Sequence, residues 1–260
     1  MLGRFRKLTK SAMGMNETGQ NLVAHLKELQ SRLRLSLIVY VLGVMVLMNW
    51  SASVFEFMAE PMLKALPAGA SMVFLNAPDV FFTYLKIALL LSLFATSPVT
   101  FYQVWSFVAP GLYSNEKKLF RLAVASSVLL FLAGGAFAYF VVFPLIFTFF
   151  LGFATEHIQA MPAVKEYLSL FLKLLFAFGI SFEIPVVLIL LVRLQLVSAA
   201  KLAEKRRFVI VWAFIFAAIL TPPDIISQVL LAVPMLLLFE VGLWFARRIE
   251  INIPTEVGGQ

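Results

Sequence analysis

Long apolar runs separated by short polar segments recur along this chain. The runs cover residues 33–50, 80–107, 119–150, 167–191, 208–220 and 225–245. A helix crosses the roughly 30 Å hydrocarbon core of a bilayer with about 20 apolar residues, so these runs predict six transmembrane helices. Of the 260 residues, 62% are hydrophobic and 13% are charged, and this balance excludes a water-soluble domain.

We therefore expect an all-α polytopic membrane protein whose helices form a concave bundle. Its parts are expected to be an N-terminal segment, a six-span membrane domain and a tail, at residues 1–24, 25–246 and 247–260. The second and third runs are longer than a bilayer requires, so we expect them to tilt or to project beyond the lipid. Proline interrupts helical hydrogen bonding, and we expect bends at Pro98 and Pro144 within these runs.

Basic residues lie mostly on one side of the predicted membrane. Seventeen of the 21 Lys and Arg residues lie between residue 1 and the start of the first span at Arg34, around the loops after the second and fourth spans, and in the tail. Cytoplasmic loops carry such an excess of Lys and Arg, so both termini are expected in the cytoplasm. The net charge of +7 therefore indicates membrane orientation, and we expect no nucleic-acid partner.

Two segments differ from ordinary spans. Residues 54–64 place apolar side chains on one helical face and Glu56, Glu60 and Lys64 at four-residue spacing, which predicts an outer amphipathic helix interrupted by Pro61. A plain connector between spans is the alternative. The run 208–220 would measure only about 20 Å as a helix, so either the bilayer thins there or a partner covers its ends.

Polar residues inside the apolar runs are costly and are candidates for function. Glu183 lies in the middle of the fourth span between Gly179 and Pro185, and we expect it to line a concave surface within the membrane. The alternative is a protonated carboxyl that another helix satisfies.

The last span carries three further polar residues. Glu240 lies near the basic end of this span, where we expect a structural contact. Asp224 precedes the span and is expected to cap its N-terminus, and Gln228 shares the face of Asp224.

Two carboxylates stand out on the basic side. Glu28 shares a helical face with His25 and Arg32 just before the first span. Glu116 follows a Pro110-Gly111 turn and begins the third span. The local alternatives are an ion pair of Glu28 with Arg32, and favourable first-turn chemistry for Glu116.

Five motifs together resemble the TatC family, the polytopic core of the twin-arginine protein translocase. They are HLKELQSRL, SPVTFYQVWSFVAPGLYSNEKK, FAYFVVFPL, FGISFEIP and LTPPDIISQVLLAVPMLLLFE. The resemblance implies a receptor in the prokaryotic cytoplasmic (inner) membrane that binds twin-arginine signal peptides of folded precursors. It also implies transport driven by the proton motive force, single-span partners of the TatA and TatB type, other copies of the chain, and surrounding membrane lipid.

The resemblance assigns roles to individual residues. Glu28 and Glu116 match the family's two cytoplasmic carboxylates that contact the signal peptide, and Glu183 matches its intramembrane glutamate. The other residues on family positions are Arg32, Pro61, Phe107, Pro110, Asp224 and Gln228. The chain departs from the family at Gln30, where the motif usually has arginine.

The residue chemistry agrees with recognition of arginine. A guanidinium presents a planar fork suited to carboxylates, so two carboxylates in a basic face can read adjacent arginines. The chain has no cysteine, two distant histidines and no phosphate-binding or nucleophile motif. We therefore expect no catalytic residue, metal or cofactor. The competing classes are a small-solute or proton carrier built around Glu183, and a passive membrane scaffold.

Overall fold

The computed structural model describes residues 26–66, 72–108, 117–152, 161–221 and 224–251, and these are almost entirely helical. The helices in chain order are α1 (26–47), α2 (Ser51–Ala65), α3 (Pro78–Ala95), α4 (Ser97–Val108), α5 (Lys117–Phe137), α6 (Phe143–Leu151), α7 (Val164–Ser181), α8 (Ile184–Arg193), α9 (Ala199–Glu204), α10 (Arg206–Leu220) and α11 (Ile225–Ile251). A 3₁₀ turn joins α1 to α2, and a π-helical turn joins α5 to α6 just before Pro144. We call the end of the bundle where α1, α5 and α10 begin the basic end.

Five helical runs among the described residues are long and apolar enough to cross a membrane. They are Leu26–Lys64, Pro78–Ala95, Lys118–Leu151, Val164–Arg193 and Ile225–Ile251. The remaining predicted span, the fifth in chain order, corresponds to α10, which has 15 residues. A helix of that length measures about 22 Å, so the shortness predicted for this segment is confirmed.

The predicted run 80–107 is divided into α3 and α4 at Thr96, close to the bend expected at Pro98. Proline has no N–H, so Pro98 leaves the carbonyl of Phe94 without its helical donor. The Ser97 hydroxyl donates to this carbonyl at 2.7 Å. The break therefore leaves no unsatisfied carbonyl at Phe94.

The expectation that Pro61 interrupts the outer helix is wrong. Pro61 lies inside α2, which is continuous from Ser51 to Ala65. The carbonyl that Pro61 cannot bond belongs to Phe57, and the hydroxyl of Tyr139 donates to it at 2.8 Å. The aromatic rings of Phe57 and Tyr139 also stack, with their centroids 4.7 Å apart. A donor from another helix thus replaces the missing bond, and α2 passes through the proline.

Aromatic side chains form the centre of the core, where α2, α6 and α7 meet. Phe143, Phe171 and Phe178 are fully buried, and the hydroxyl of buried Tyr167 donates to the Met58 carbonyl at 2.5 Å. Helices α5 and α7 approach closely at Gly134, where a Cβ atom would stand 2.4 Å from the Phe178 carbonyl oxygen. Only glycine fits at this crossing.

The loops at the end opposite the basic end are joined to each other. The Val73 N–H donates to the Pro162 carbonyl at 3.2 Å, and the Val164 N–H donates to the Val73 carbonyl at 3.0 Å. Lys165 at the start of α7 lies 3.4 Å from the carboxylate of Asp79 at the start of α3. These contacts hold the starts of α3 and α7 together.

We predict that Tyr139→Phe lowers the free energy of unfolding by about 1 kcal/mol, because it removes the hydroxyl that donates to the Phe57 carbonyl in place of the missing Pro61 N–H. In Pro61→Ala the restored N–H can bond that carbonyl, so Tyr139→Phe should cost clearly less in this background. The measurement is a double-mutant cycle of unfolding in detergent. Tyr84→Phe is the control, and equal losses in the two backgrounds would contradict the interpretation.

Candidate functional site

The first polar site lies at the basic end between α1 and α4. Arg32 donates to one oxygen of Glu28, Oε1, from Nε at 3.0 Å and from Nη2 at 2.7 Å. The same guanidinium donates from Nη1 to Oε1 of Gln103 at 3.2 Å. The four-residue spacing on α1 sets the ion pair, and Gln103 fixes the arginine against α4.

A cavity of about 460 Å³, the α1–α4 pocket, opens at this site. Its lining residues are Glu28, Ser31, Arg32, Arg34, Leu35, Ile38 and Gln103. The local ion pair that the sequence offered as the alternative reading is present. This ion pair occupies only one oxygen of the Glu28 carboxylate. The other oxygen, Oε2, accepts no hydrogen bond from the described residues, and 44% of the side chain is exposed.

His25, Pro110 and Glu116 lie outside the described residues. Phe107 is in the last turn of α4. The rings of Tyr102 on α4 and Phe120 on α5 meet at 5.6 Å. Helix α5 begins at residue 117, directly after Glu116. The helix that carries Arg32 and the helix that follows Glu116 therefore both pack against α4.

The second polar site surrounds Glu183, in the turn between α7 and α8. The predicted span 167–191 is divided here into α7 and α8, and Pro185 is the second residue of α8. Both carboxyl oxygens of Glu183 are buried and accept no hydrogen bond within the described chain. The neighbouring polar group is the Ser127 hydroxyl, whose oxygen accepts the indole N–H of Trp105 at 2.9 Å. The Trp105 bond uses the Ser127 oxygen as an acceptor, so the hydroxyl hydrogen of Ser127 remains free to be donated to a neighbouring carboxyl.

Sequence reasoning missed Gln103, Trp105 and Ser127 as site residues. Gln103 and Ser127 are polar residues within predicted spans, and this signal could have found them. Their hydrogen-bond partners could not be predicted from the sequence, since Gln103, for example, lies 71 residues from Arg32.

The polar residues of the last span make structural contacts. The Ser227 N–H donates to Oδ1 of Asp224 at 2.7 Å, so the predicted cap of α11 is confirmed. Gln228 donates from Nε2 to the Phe214 carbonyl at 2.9 Å. The structural contact expected of Glu240 is confirmed by Arg206, whose Nη2 donates to it at 2.6 Å. The bonds made by Gln228 and Glu240 tie α10 to α11.

The described residues contain no group of three or more His, Cys, Asp or Glu side chains placed to hold a metal ion. What the two polar sites offer is hydrogen bonding and charge.

We predict that Ser127→Ala lowers the free energy of unfolding in detergent by about 1–3 kcal/mol more than Ser126→Ala. The first change leaves the buried Trp105 N–H without its acceptor, whereas the Ser126 hydroxyl only bonds a carbonyl of its own helix at 3.0 Å. Equal losses in the two variants would show that the Trp105–Ser127 bond adds nothing to stability beyond that of an ordinary helix hydroxyl.

Comparison with known proteins gives the same family assignment as the sequence motifs. A family model described as Sec-independent protein translocase protein (TatC) matches residues 24–234. The TatC of Magnetococcus marinus is 44% identical over 229 residues, which cover 88% of this chain and 84% of that protein. The TatC of Escherichia coli K12 is 42% identical over 231 residues, covering 89% of this chain and 90% of that protein.

Solved structures agree with this result. A crystal structure described as the twin arginine translocase receptor TatC superimposes with a TM-score of 0.78 at 39% identity, over 86% of this chain and 98% of that one. A second, determined in the detergent DDM, gives a TM-score of 0.79 at 40% identity, over 85% of this chain and 99% of that one. The resemblance predicted from the sequence motifs is confirmed.

Proposed function

This chain belongs to the TatC family of Sec-independent protein translocases, and we propose that it is the receptor that binds twin-arginine signal peptides in the α1–α4 pocket. The observation that supports this most is the open Oε2 of Glu28 beside a guanidinium already bound to Oε1. A carboxylate has about four acceptor sites, so Glu28 can take an arginine of the peptide while it keeps Arg32.

The geometry around Glu28 favours arginine over other cations. Arg32 reaches Oε1 with two nitrogens, as a planar fork does, and an incoming guanidinium can use the same geometry at Oε2. Lysine has a compact ammonium and cannot reproduce it. Arg32 and Arg34 line the same pocket, and their charge discourages generic cationic peptides.

Glu116 and Phe107 complete this proposed site. Glu116 directly precedes α5, and α5 contacts the same helix, α4, that contacts Arg32. We assign Glu116 to the second arginine of the pair and Phe107 to an apolar side of the peptide.

The proposed topology has six spans, with α10 as the fifth and both termini in the cytoplasm. The excess of Lys and Arg at the basic end supports this orientation, and α2 then forms the outer amphipathic helix. Its buried residues Met58, Ala59 and Met62 form the face that packs on the bundle. A reporter fused after Gln260 tests this topology. A reporter that works only in the cytoplasm should be active there, and activity of a reporter that works only outside the cytoplasm would contradict the proposal.

The proposed setting is the cytoplasmic (inner) membrane of a prokaryote. The partners are precursor signal peptides, TatA- and TatB-type single-span proteins, and other copies of the chain. The proton motive force drives transport, and the chain has no enzymatic step. Glu183 is assigned to the membrane-embedded, concave part of the translocase. Its two buried carboxyl oxygens have no described hydrogen-bond partner there and can accept a hydrogen bond from a translocase partner.

We predict that Glu28→Ala and Glu116→Ala each weaken binding of a twin-arginine precursor about tenfold to a hundredfold. One charge-assisted hydrogen bond contributes roughly 1.5–3 kcal/mol, which corresponds to that range. The double variant should lose less than the sum of the two changes if both residues form one site. The measurement is precursor affinity of the purified chain.

Glu204→Ala is the matched control, because Glu204 is an exposed carboxylate in α9 at the same end of the bundle. It should bind the precursor normally. Normal binding in a well-folded double variant would instead return Glu28 and Glu116 to local helix roles and refute the proposed receptor site.

A further inference from the structure

A cavity of about 440 Å³, the α7–α10 cavity, lies at the end of the bundle opposite the basic end. Its walls come from α2, α6, α7 and the end of α10, and they are mainly apolar. The residues that matter here are Phe147, Phe150, Glu166, Lys173, Leu220 and Thr221. It is separate from the α1–α4 pocket, and the proposed function makes no use of it.

Lys173 is an uncompensated cation in this cavity. It lies nine residues inside α7 in a run apolar enough to cross a membrane, its side chain is exposed, and no described carboxylate pairs with it. Two lysines nearer this end are paired, Lys64 with Glu60 at 2.6 Å and Lys165 with Asp79 at 3.4 Å. Lys86 on α3 also has no described ion-pair partner, but it does not line this cavity. An unpaired charge at this depth is costly unless an anion or water reaches it.

The short helix α10 brings the membrane surface to this depth. Leu220, its last residue, lines the same cavity as Lys173. Helix α7 continues past Lys173 toward this end by about 13 Å, at 1.5 Å per residue. Lipids beside a short span sink their head groups to match its length. A phosphate next to the end of α10 therefore lies at the level of Lys173.

Glu166 adds a negative charge nearer the membrane surface. It lies seven residues before Lys173, so the two side chains share one face of α7, two turns apart. It is exposed and has no described ion-pair partner. The cavity thus places an anion above a cation along the membrane normal, over an apolar wall that includes Phe150.

We propose that the α7–α10 cavity binds the head group of a phospholipid that carries a primary ammonium, as phosphatidylethanolamine does. Lys173 binds the phosphate, Glu166 accepts hydrogen bonds from the ammonium, and an acyl chain lies against Phe147, Phe150 and Leu220. A phosphatidylglycerol head group leaves Glu166 without a partner. A choline head group has no N–H to donate to it.

The test is native mass spectrometry of the full-length, delipidated chain with three phospholipids of matched acyl chains. Phosphatidylethanolamine should bind about tenfold more tightly than the glycerol or choline lipid, as expected for one added charge-assisted bond. Lys173→Met should weaken all three lipids about tenfold. Glu166→Gln should weaken only phosphatidylethanolamine and so remove the preference.

Lys64→Met and Glu60→Gln are matched controls, since they change one cation and one anion at the same end but outside the cavity. Both should bind lipid as the unmodified chain does. Equal affinity for the three lipids, or an unchanged affinity in Lys173→Met, would overturn the proposal. It would also be overturned if a photocrosslinker placed in membranes at Leu170, which lines the cavity, captured a protein partner and no lipid.

Discussion

The need to satisfy backbone carbonyls governs this fold, because a carbonyl that a proline leaves without its helical donor needs another donor, and a bilayer core has no water to supply one. At Pro98 the donor is local, the hydroxyl of Ser97 on the Phe94 carbonyl. At Pro61 it comes from another helix, the hydroxyl of Tyr139 on the Phe57 carbonyl. The first solution divides a run into α3 and α4, while the second lets α2 continue as one helix.

These breaks determine where polar groups lie. The division near Thr96 makes α4 a separate helix, and α4 then reaches the basic end with Gln103 against Arg32. The turn before Pro185 places Glu183 beside Ser127. Both polar sites therefore follow from helix ends or breaks, and the regular parts of the helices supply the apolar packing around them.

Local patterns were enough to predict much of this arrangement. Apolar runs predicted the helices and the shortness of α10, and the Asp224 cap and the bend near Pro98 also follow from neighbouring residues. The continuity of α2 could not be predicted, because Tyr139 lies 82 residues from Phe57. The Gln103 contact of Arg32 was missed for the same reason. Tertiary contacts between distant segments leave no trace in sequence periodicity.

Disulfide crosslinking tests the central claim, that the α1–α4 pocket holds the arginine pair, most directly. The chain has no cysteine, so a single Ser31→Cys variant gives no background. A signal peptide with cysteine beside its arginine pair should crosslink there, and excess twin-arginine peptide, but not twin-lysine peptide, should suppress the product. Ala200→Cys, exposed on α9 at the same end, should not react. Equal crosslinking at both positions, or suppression by both peptides, would contradict the account.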